Sequence, residues 1–528
     1  MGPPAMTIPE SATPGGTAAA AARFAAQSAP TTYGPLGTTG LVVSRLGFGG
    51  YRVDDETAEH RAALEAALVG GVNLVDTSTN YTDGGSERLV GLVLGDLVGA
   101  GRLRREAVVV VSKIGYVQGQ NLRLAQEREA FGQPFPEMVK YMDGCWHAIH
   151  PEFLADQLAR SLERLRLATL DVCLLHNPEY FLSDAKRRHA GPLPAIREEF
   201  YRRVRAAFVF FEAEVAAGRL RWYGVSSNTV TRPVEDPEAT SLAEMLAAAR
   251  ATGGDGHHFR VLQCPMNLFE AGALVEVNNP PAAAQASVLE LAAREGIGVL
   301  LNRPLNAMVH DRLLRLADVP LDGPAVDVDA QLERVRALEA EYRREIAAAI
   351  RVGPDSTPPD EFFRWADRLD GFRQRAPSLE HWREIEGRMV APVVQQVVRA
   401  LDAGLAEPLA ARWRGWRDRY LPEVAALLTA FRQRAATEVR SVSRAIADAV
   451  DPTLPAERRG ETLSRKALWT LASTPGVSVV LIGMRRPEYV ADALGILAWP
   501  PLAPVEPVYE AVATLAPFGV STATSARR

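Results

Sequence analysis

Apolar and polar positions along this chain follow two alternating periods. Short, nearly continuous runs of aliphatic and β-branched residues recur at GVNLVD (71–76), AVVVVSK (107–113), LDVCLLH (170–176), WYGVSS (222–227), RVLQCP (260–265), IGVLLN (297–302) and SVVLIG (478–483). Each predicts a strand buried on both faces. Between them lie segments whose apolar residues return every three or four positions, the spacing of a helix face: 57–71, 86–97, 151–167, 206–218, 241–250, 286–296 and 461–474. Gly70 and Gly71 end the first of these, and Ser86 is placed as the N-cap of the second. Upstream, LVVSRLGFGG (41–50) reads as a hairpin running into a first strand.

Eight strand–helix units joined by crossover helices predict a parallel sheet, and eight fit a closed (β/α)8 TIM barrel better than an open one. One stretch breaks the repeat. Between IGVLLN and the helix at 461 the pattern is helical, and Leu332, Val335, Leu338, Tyr342, Ile346 and Ile350 share one face. Trp365, Trp382, Trp413 and Trp416 lie in the same stretch. The expected organisation is a disordered tail over 1–33, barrel strands 1–7 over 34–311, an all-helical insertion of three to five helices over 312–460, and barrel completion over 461–528. The insertion lies in the seventh βα connection, and such connections open on the face where barrels build active sites. A roof over the substrate mouth is one expectation for it; a bundle for homo-oligomer assembly or an inert excursion is the other.

Composition adds mainly exclusions. The chain has 528 residues, a net charge of -5 and 23% charged residues, a balance that gives no reason to expect nucleic acid or an anionic membrane as partner. Three well-separated cysteines, Cys145, Cys173 and Cys264, suit a reducing compartment. Neither a secretory pattern nor an apolar run long enough to span a bilayer is present, so a cytoplasmic location is expected. In ARWRGWRDRY the arginines interleave with Trp413 and Trp416, which reads as a helical bundle with snorkelling arginines, not a single-strand nucleic-acid surface.

Candidate chemistry collects at the carboxyl ends of the predicted strands. Asp76 and Tyr81 follow GVNLV, Lys113 ends VVVVSK and His176 ends LDVCLLH. Ionisable side chains at such positions cost desolvation energy, so packing alone does not account for them. A Lys ammonium beside a phenol is expected to lower the phenol pKa, and an Asp can keep that Lys charged and oriented. Cys145, His147 and His150 in CWHAIH could begin a zinc site, but no second ligand pair follows at a usual spacing, so no metal is expected. The long connection after Lys113 is the better source of substrate contacts, with Tyr116 and His147 as candidates.

These motifs resemble the aldo-keto reductase superfamily, over roughly Tyr33–Ala307 and Glu461–Leu497. GVNLVDTSTNYTDGGSERLVGLVL is the most diagnostic stretch, followed in order by SKIG and LLHNPE. The resemblance implies that Asp76, Tyr81, Lys113 and His176 are catalytic, with Tyr81 the proton donor to a carbonyl oxygen and a dihydronicotinamide the hydride donor to its carbon. It further implies that Ser227, Asn228 and Gln263 hold the nicotinamide carboxamide, with Ser226 and Ser227 as the alternative register. NRPLNA puts Asn302 and Arg303 where the family has an aromatic residue and a serine, so their service to the cofactor differs. Gly483, Met484 and Arg485 match the family's Gly-x-Arg segment, and Arg485 as partner of a 2′-phosphate favours NADP(H) over NAD(H). Tyr489 and Ala493 depart from the adenine-contacting pattern. The implied function is interconversion of an aldehyde, ketone or sugar carbonyl with its alcohol. The alternative is a nicotinamide-binding sensor or regulatory subunit docked through the helical insertion.

Overall fold

Alternation of buried strands with crossover helices closes into a barrel in the computed structural model, which describes residues 7–8, 10–25, 29, 32–279, 285–309, 312–318, 326–353, 357–373 and 379–515. The strands are β1 (Leu46–Gly49), β2 (Leu74–Asp76), β3 (Val109–Ile114), β4 (Leu170–His176), β5 (Leu220–Ser226), β6 (Phe259–Pro265), β7 (Gly298–Asn302) and β8 (Val479–Ile482). They pair in parallel in the order β5-β6-β7-β8-β1-β2-β3-β4, and β4 returns to β5 to close the ring. Period-two alternation sends Val109 and Val111, Val172 and Leu174, and Val479 and Leu481 into one core.

The end of the barrel opposite the strand mouths is closed by the start of the chain. A hairpin pairs Tyr33–Pro35 with Val42–Ser44 and adds Leu36, Leu41 and Val43 to the barrel core. Sequence reading expected a disordered tail over 1–33, and the structure corrects this for the described part. Pro14–Ala25 is a helix, with the Thr13 hydroxyl accepting from Gly16 N at 3.0 Å in its first turn. Ile8 bridges to Leu167, Ala12 joins the barrel core, and Ala12 N donates to Asp171 Oδ1 at 2.7 Å. The same carboxylate accepts from Arg105 Nη2 and Val110 N, each at 2.7 Å, and both charged residues are almost wholly buried. Alanine-rich sequence hides this helix because its order comes from partners distant in the chain.

Ser86 is not the N-cap expected of it. The helix runs Gly85–Gly99 with Gly84 before it, and the Ser86 hydroxyl donates to Gly50 O at 2.9 Å and meets Thr77 Oγ1 at 2.7 Å. The connection after β3 folds into a three-stranded antiparallel sheet of Tyr116–Val117, Cys145–His147 and Val139–Met142, with a helix, Gly119–Ala130, between the first and last in sequence.

Residues 313–448 form a second compact unit; the remaining residues belong to the barrel unit, including 449–460, which sequence reading had assigned to the insertion. Among the described residues of this unit five α-helices start, at Val328–Glu345, Trp365–Arg373, Leu379–Glu384, Ala391–Gly404 and Leu409–Val450. Its core holds Leu332, Val335, Tyr342, Trp382, Trp413, Trp416 and Tyr420, with Leu338 and Ile350 partly buried against them. Stacked pairs run through it: Trp416 on Tyr420 at 4.4 Å and Trp382 on Phe431 at 4.3 Å between ring centroids. Buried Glu339 accepts from Trp365 N, Ala366 N and the Tyr420 hydroxyl through one oxygen, which holds the second helix against the fifth. Both tryptophans of ARWRGWRDRY are buried, and Arg414, Arg417 and Arg419 pair with carboxylates at the surface.

Candidate active site

Each strand of the β2–β7 arc delivers a polar side chain to the same mouth. Asp76 ends β2, Lys113 is the penultimate residue of β3, His176 ends β4, Ser226 ends β5, Gln263 lies near the end of β6 and Asn302 ends β7. Lys113 Nζ donates to Asp76 Oδ2 at 2.6 Å and to Thr77 O at 2.8 Å. Gln263 Nε2 donates to the other Asp76 oxygen at 2.7 Å, while Gln263 Oε1 accepts from Ser226 Oγ at 3.2 Å and Asn302 Nδ2 at 3.3 Å. All of these groups except Asn302 are buried. Burial drives the Asp76 carboxyl up and the Lys113 ammonium down, and the short contact between the two opposes both shifts.

Tyr81 comes from the turn after β2. Lys113 Nζ lies over its ring, 4.6 Å from the centroid, and His176 and Tyr51 meet it edge-on at 5.7 and 5.2 Å. The turn is strained, since Thr82 and Asp83 hold φ of 47° and 55° before Gly84 at 84°. A β-branched residue rarely adopts such a φ. It is held by Thr82 Oγ1 donating to Val53 O at 2.6 Å and by Asp83 Oδ1 accepting from Gln120 N at 2.9 Å. Sequence reading expected Lys113 to lower the phenol pKa, and the structure reverses that expectation. Burial, then the Asp76 charge, hold the Tyr81 hydroxyl well above its ordinary value, because the Lys113 charge is bonded to Asp76 and faces the ring. The phenol therefore keeps its proton.

His176 is neutral, its pKa driven well below the ordinary value by burial and then by the Lys113 charge. Tyr116 meets its ring edge-on at 4.6 Å. Asn177 Nδ2 donates to the Tyr116 hydroxyl at 2.9 Å, and Tyr180 packs edge-on against Tyr116 at 5.2 Å. His147, expected as a substrate contact, is buried instead: its Nε2 lies 2.7 Å from the His176 carbonyl oxygen, which only accepts, so the ring nitrogen donates. Burial lowers its pKa to about 4, which keeps it neutral. A side chain at Gly115 would meet both of these histidines, since a Cβ there would lie 2.4 Å from His176 O and 2.6 Å from His147 Nε2.

The doubled serine resolves differently from the preferred register. Ser226 reaches Gln263, whereas the Ser227 hydroxyl turns away to Thr240 Oγ1 at 2.9 Å. Asn228 N donates to Glu179 Oε1 at 2.7 Å. Arg303 is at φ 54° with Nη2 donating to Glu270 Oε1 at 3.0 Å. Gly483, Met484 and Arg485 follow β8; Met484 is fully buried and open space surrounds the Gly483 α-carbon where a side chain would stand. Cys145, His147 and His150 go to three different partners (Gln118, His176 O and Glu152 N). No cluster suited to a metal and no helix long and apolar enough to cross a membrane occurs among the described residues. Sequence reading missed Ser78, Asn177, Glu179 and Tyr180. Ser78 lies in the diagnostic stretch after Asp76, and Asn177 and Glu179 lie in LLHNPE; Tyr180 carried no signal.

A bound nicotinamide carboxamide fits this donor and acceptor set. Asn302 Oδ1 is buried without a partner beside Gln263, the acceptor that an amide N–H would satisfy.

Known proteins resemble this chain in sequence and in structure. The NADH-specific methylglyoxal reductase of Escherichia coli (strain K12) is 28% identical over 153 residues, 27% of this chain and 40% of that protein, so the match spans less than half the relative's length. A glycerol dehydrogenase structure from Gluconobacter oxydans is similar at a TM-score of 0.46 and 16% identity, covering 95% of this chain and 100% of the other. An aldo/keto reductase structure from Klebsiella pneumoniae, in complex with NADP and acetate, is similar at a TM-score of 0.40 and 16% identity, covering 91% and 93%. The model of the Aldo/keto reductase family matches residues 45–307, the span that carries Asp76, Tyr81, Lys113, His176, Gln263 and Asn302. With eight parallel strands closed into a barrel and these residues at its mouth, this chain belongs to the aldo/keto reductase family.

Proposed function

We propose that the protein is an NAD(P)(H)-dependent oxidoreductase that interconverts a small-molecule carbonyl and its alcohol, with Tyr81 as the general acid. The observation that carries this is the Tyr81 phenol held between the Lys113 ammonium and the His176 ring at the barrel mouth. When bound, NAD(P)H supplies the hydride. Tyr81 supplies the proton to the oxygen on which negative charge develops, and Lys113, anchored by Asp76, supports the phenolate that remains. His176 orients the reacting oxygen by a hydrogen bond, and Ser226, Gln263 and Asn302 present the seat for the carboxamide. Arg485, two residues beyond the exposed Gly483 that follows β8, is the partner for the 2′-phosphate of NADP(H) in this reading.

Purified protein is expected to oxidise NADPH in the presence of a panel of aldehydes, ketones and sugars. Tyr81→Phe should lower turnover by about 10²- to 10⁴-fold, the usual size of a general-acid contribution. Undiminished turnover in that variant would remove Tyr81 from the role, and binding of NADPH without any turnover would favour a sensor. Arg485→Ala should reduce the ratio of kcat/KM for NADPH over NADH by about tenfold, as expected for one charge-assisted hydrogen bond; an unchanged ratio places the phosphate elsewhere.

A further inference from the structure

We propose that Tyr51 and Arg52, on the turn that follows β1, form an anion-binding subsite beside Tyr81, so that the preferred carbonyl substrate carries a carboxylate or phosphate group. The proposal rests on the oxidoreductase reading above and deepens it by naming the substrate class.

The turn from Gly50 to Val53 leaves the carboxyl end of β1, on the face where the other strand ends gather. It is pinned at both ends. Gly50 N donates to Asp76 O at 2.7 Å, and Gly50 O accepts from Ser86 Oγ at 2.9 Å. Val53 is fully buried, and its carbonyl oxygen accepts at 2.6 Å from Thr82 Oγ1, in the turn that carries Tyr81. Between these anchors Tyr51 and Arg52 stand exposed, in a fixed place relative to Tyr81.

Packing does not explain either residue. Tyr51 leaves 60% of its surface open, although its ring meets that of Tyr81 edge-on at 5.2 Å. Arg52 holds φ at 69°, at a turn position where glycine would be relaxed and a long side chain is uncommon. Departures of this kind collect where the side chain itself has a task.

Electrostatics indicates the task. The Arg52 guanidinium lies over the Tyr51 ring, 5.4 Å from its centroid, and pairs with no carboxylate among the described residues. Asp54 and Asp55 follow closely in the chain but are turned elsewhere. Asp54 accepts from Glu56 N and Thr57 N and faces His60 Nδ1, and Asp55 pairs with Arg88 at 2.9 Å. Lys113 and Arg303 are neutralised in turn by Asp76 and Glu270. Arg52 therefore keeps a planar fork of N–H donors for an incoming anion. Its seat on the aromatic ring orients it before the ligand arrives, which lowers the entropy lost on binding. The open Tyr51 ring supplies a face for the carbon skeleton between that anion and the oxygen at Tyr81.

The test is calorimetric titration of the full-length protein saturated with NADP⁺, where a carbonyl compound binds without being reduced. Three probes are compared: para-methylbenzaldehyde, para-carboxybenzaldehyde and para-formylphenyl phosphate. At low ionic strength the native protein should bind at least one anionic probe about fivefold more tightly than the neutral one, the upper range for an exposed ion pair. Added salt should shrink that advantage. Arg52→Gly relaxes the turn, so it should melt no lower than the native protein and yet lose the advantage, whereas Arg52→Lys should keep part of it. The probe whose advantage disappears identifies carboxylate or phosphate as the group recognised. Equal native affinity for all three probes, or a native advantage retained in Arg52→Gly, would overturn the proposal. Because binding is read with the oxidised cofactor, failure of the oxidoreductase reading shows separately, as a protein that holds the anion through Arg52 but oxidises no NADPH with any carbonyl.

Discussion

Glu179 stands three residues beyond His176 with one carboxylate oxygen accepting from Asn228 N and the other buried without a partner. Burial raises its pKa to about 7 from an unfolded value near 4.5. Between those two values the folded protein holds a proton that the unfolded chain has released, so this group's contribution to stability falls as pH rises through the window and stays lost above it. The difference amounts to about 3 kcal/mol. Denaturant unfolding of Glu179→Gln across pH 4.5 to 7 should lack that component; a slope identical to the native one would show that the carboxyl ionises freely. At this scale the gathering of Asp76, Tyr81, Lys113 and His176 at one mouth was legible because four reactive residue types end or follow buried strands. The role of His147 was not, since nothing local indicates that its ring turns toward a backbone carbonyl from a neighbouring strand.

Among elements, the N-terminal segment is the part whose order depends most on others. Asp171, at the start of β4, accepts from Ala12 N, Arg105 and Val110 N, which ties this segment and β3 to β4. Asp171→Asn should destabilise the barrel by about 3–5 kcal/mol, since it strands the buried Arg105 charge. Thermal unfolding measures the loss, and a melting temperature within a degree of native would mean that Arg105 finds water or another partner. Strand positions were readable because a strand buried on both faces is written in consecutive residues: LDVCLLH became β4 with the same limits. The helix at Pro14–Ala25 was not, because its alanine-rich sequence has no strong apolar stripe and the residues leading into it, Ile8, Ala12 and Thr13, bond to Arg166, Asp171 and Glu106 far along the chain.

For the whole molecule, two hydrophobic cores imply two cooperative bodies. Trp416 is buried in the helical unit with Nε1 donating to Leu338 O at 2.8 Å. Trp416→Ala should cost that unit about 3–5 kcal/mol and lower one calorimetric transition while the other stays in place; a single transition shifting as a whole would show the cores to be coupled. The sequence by itself determined the eightfold alternation, the position of the helical insertion within it and the placing of Asp76, Tyr81, Lys113 and His176 at or just after strand ends, because periodicity and residue chemistry are local properties. Only the tertiary structure decided that Ser226 and not Ser227 meets Gln263, that Lys113 spends its charge on Asp76 and leaves the Tyr81 phenol protonated, and that Ser78 faces His176 Nδ1. Each of these depends on strand register and on desolvation at the mouth of a ring of strands, which no single segment of the chain contains.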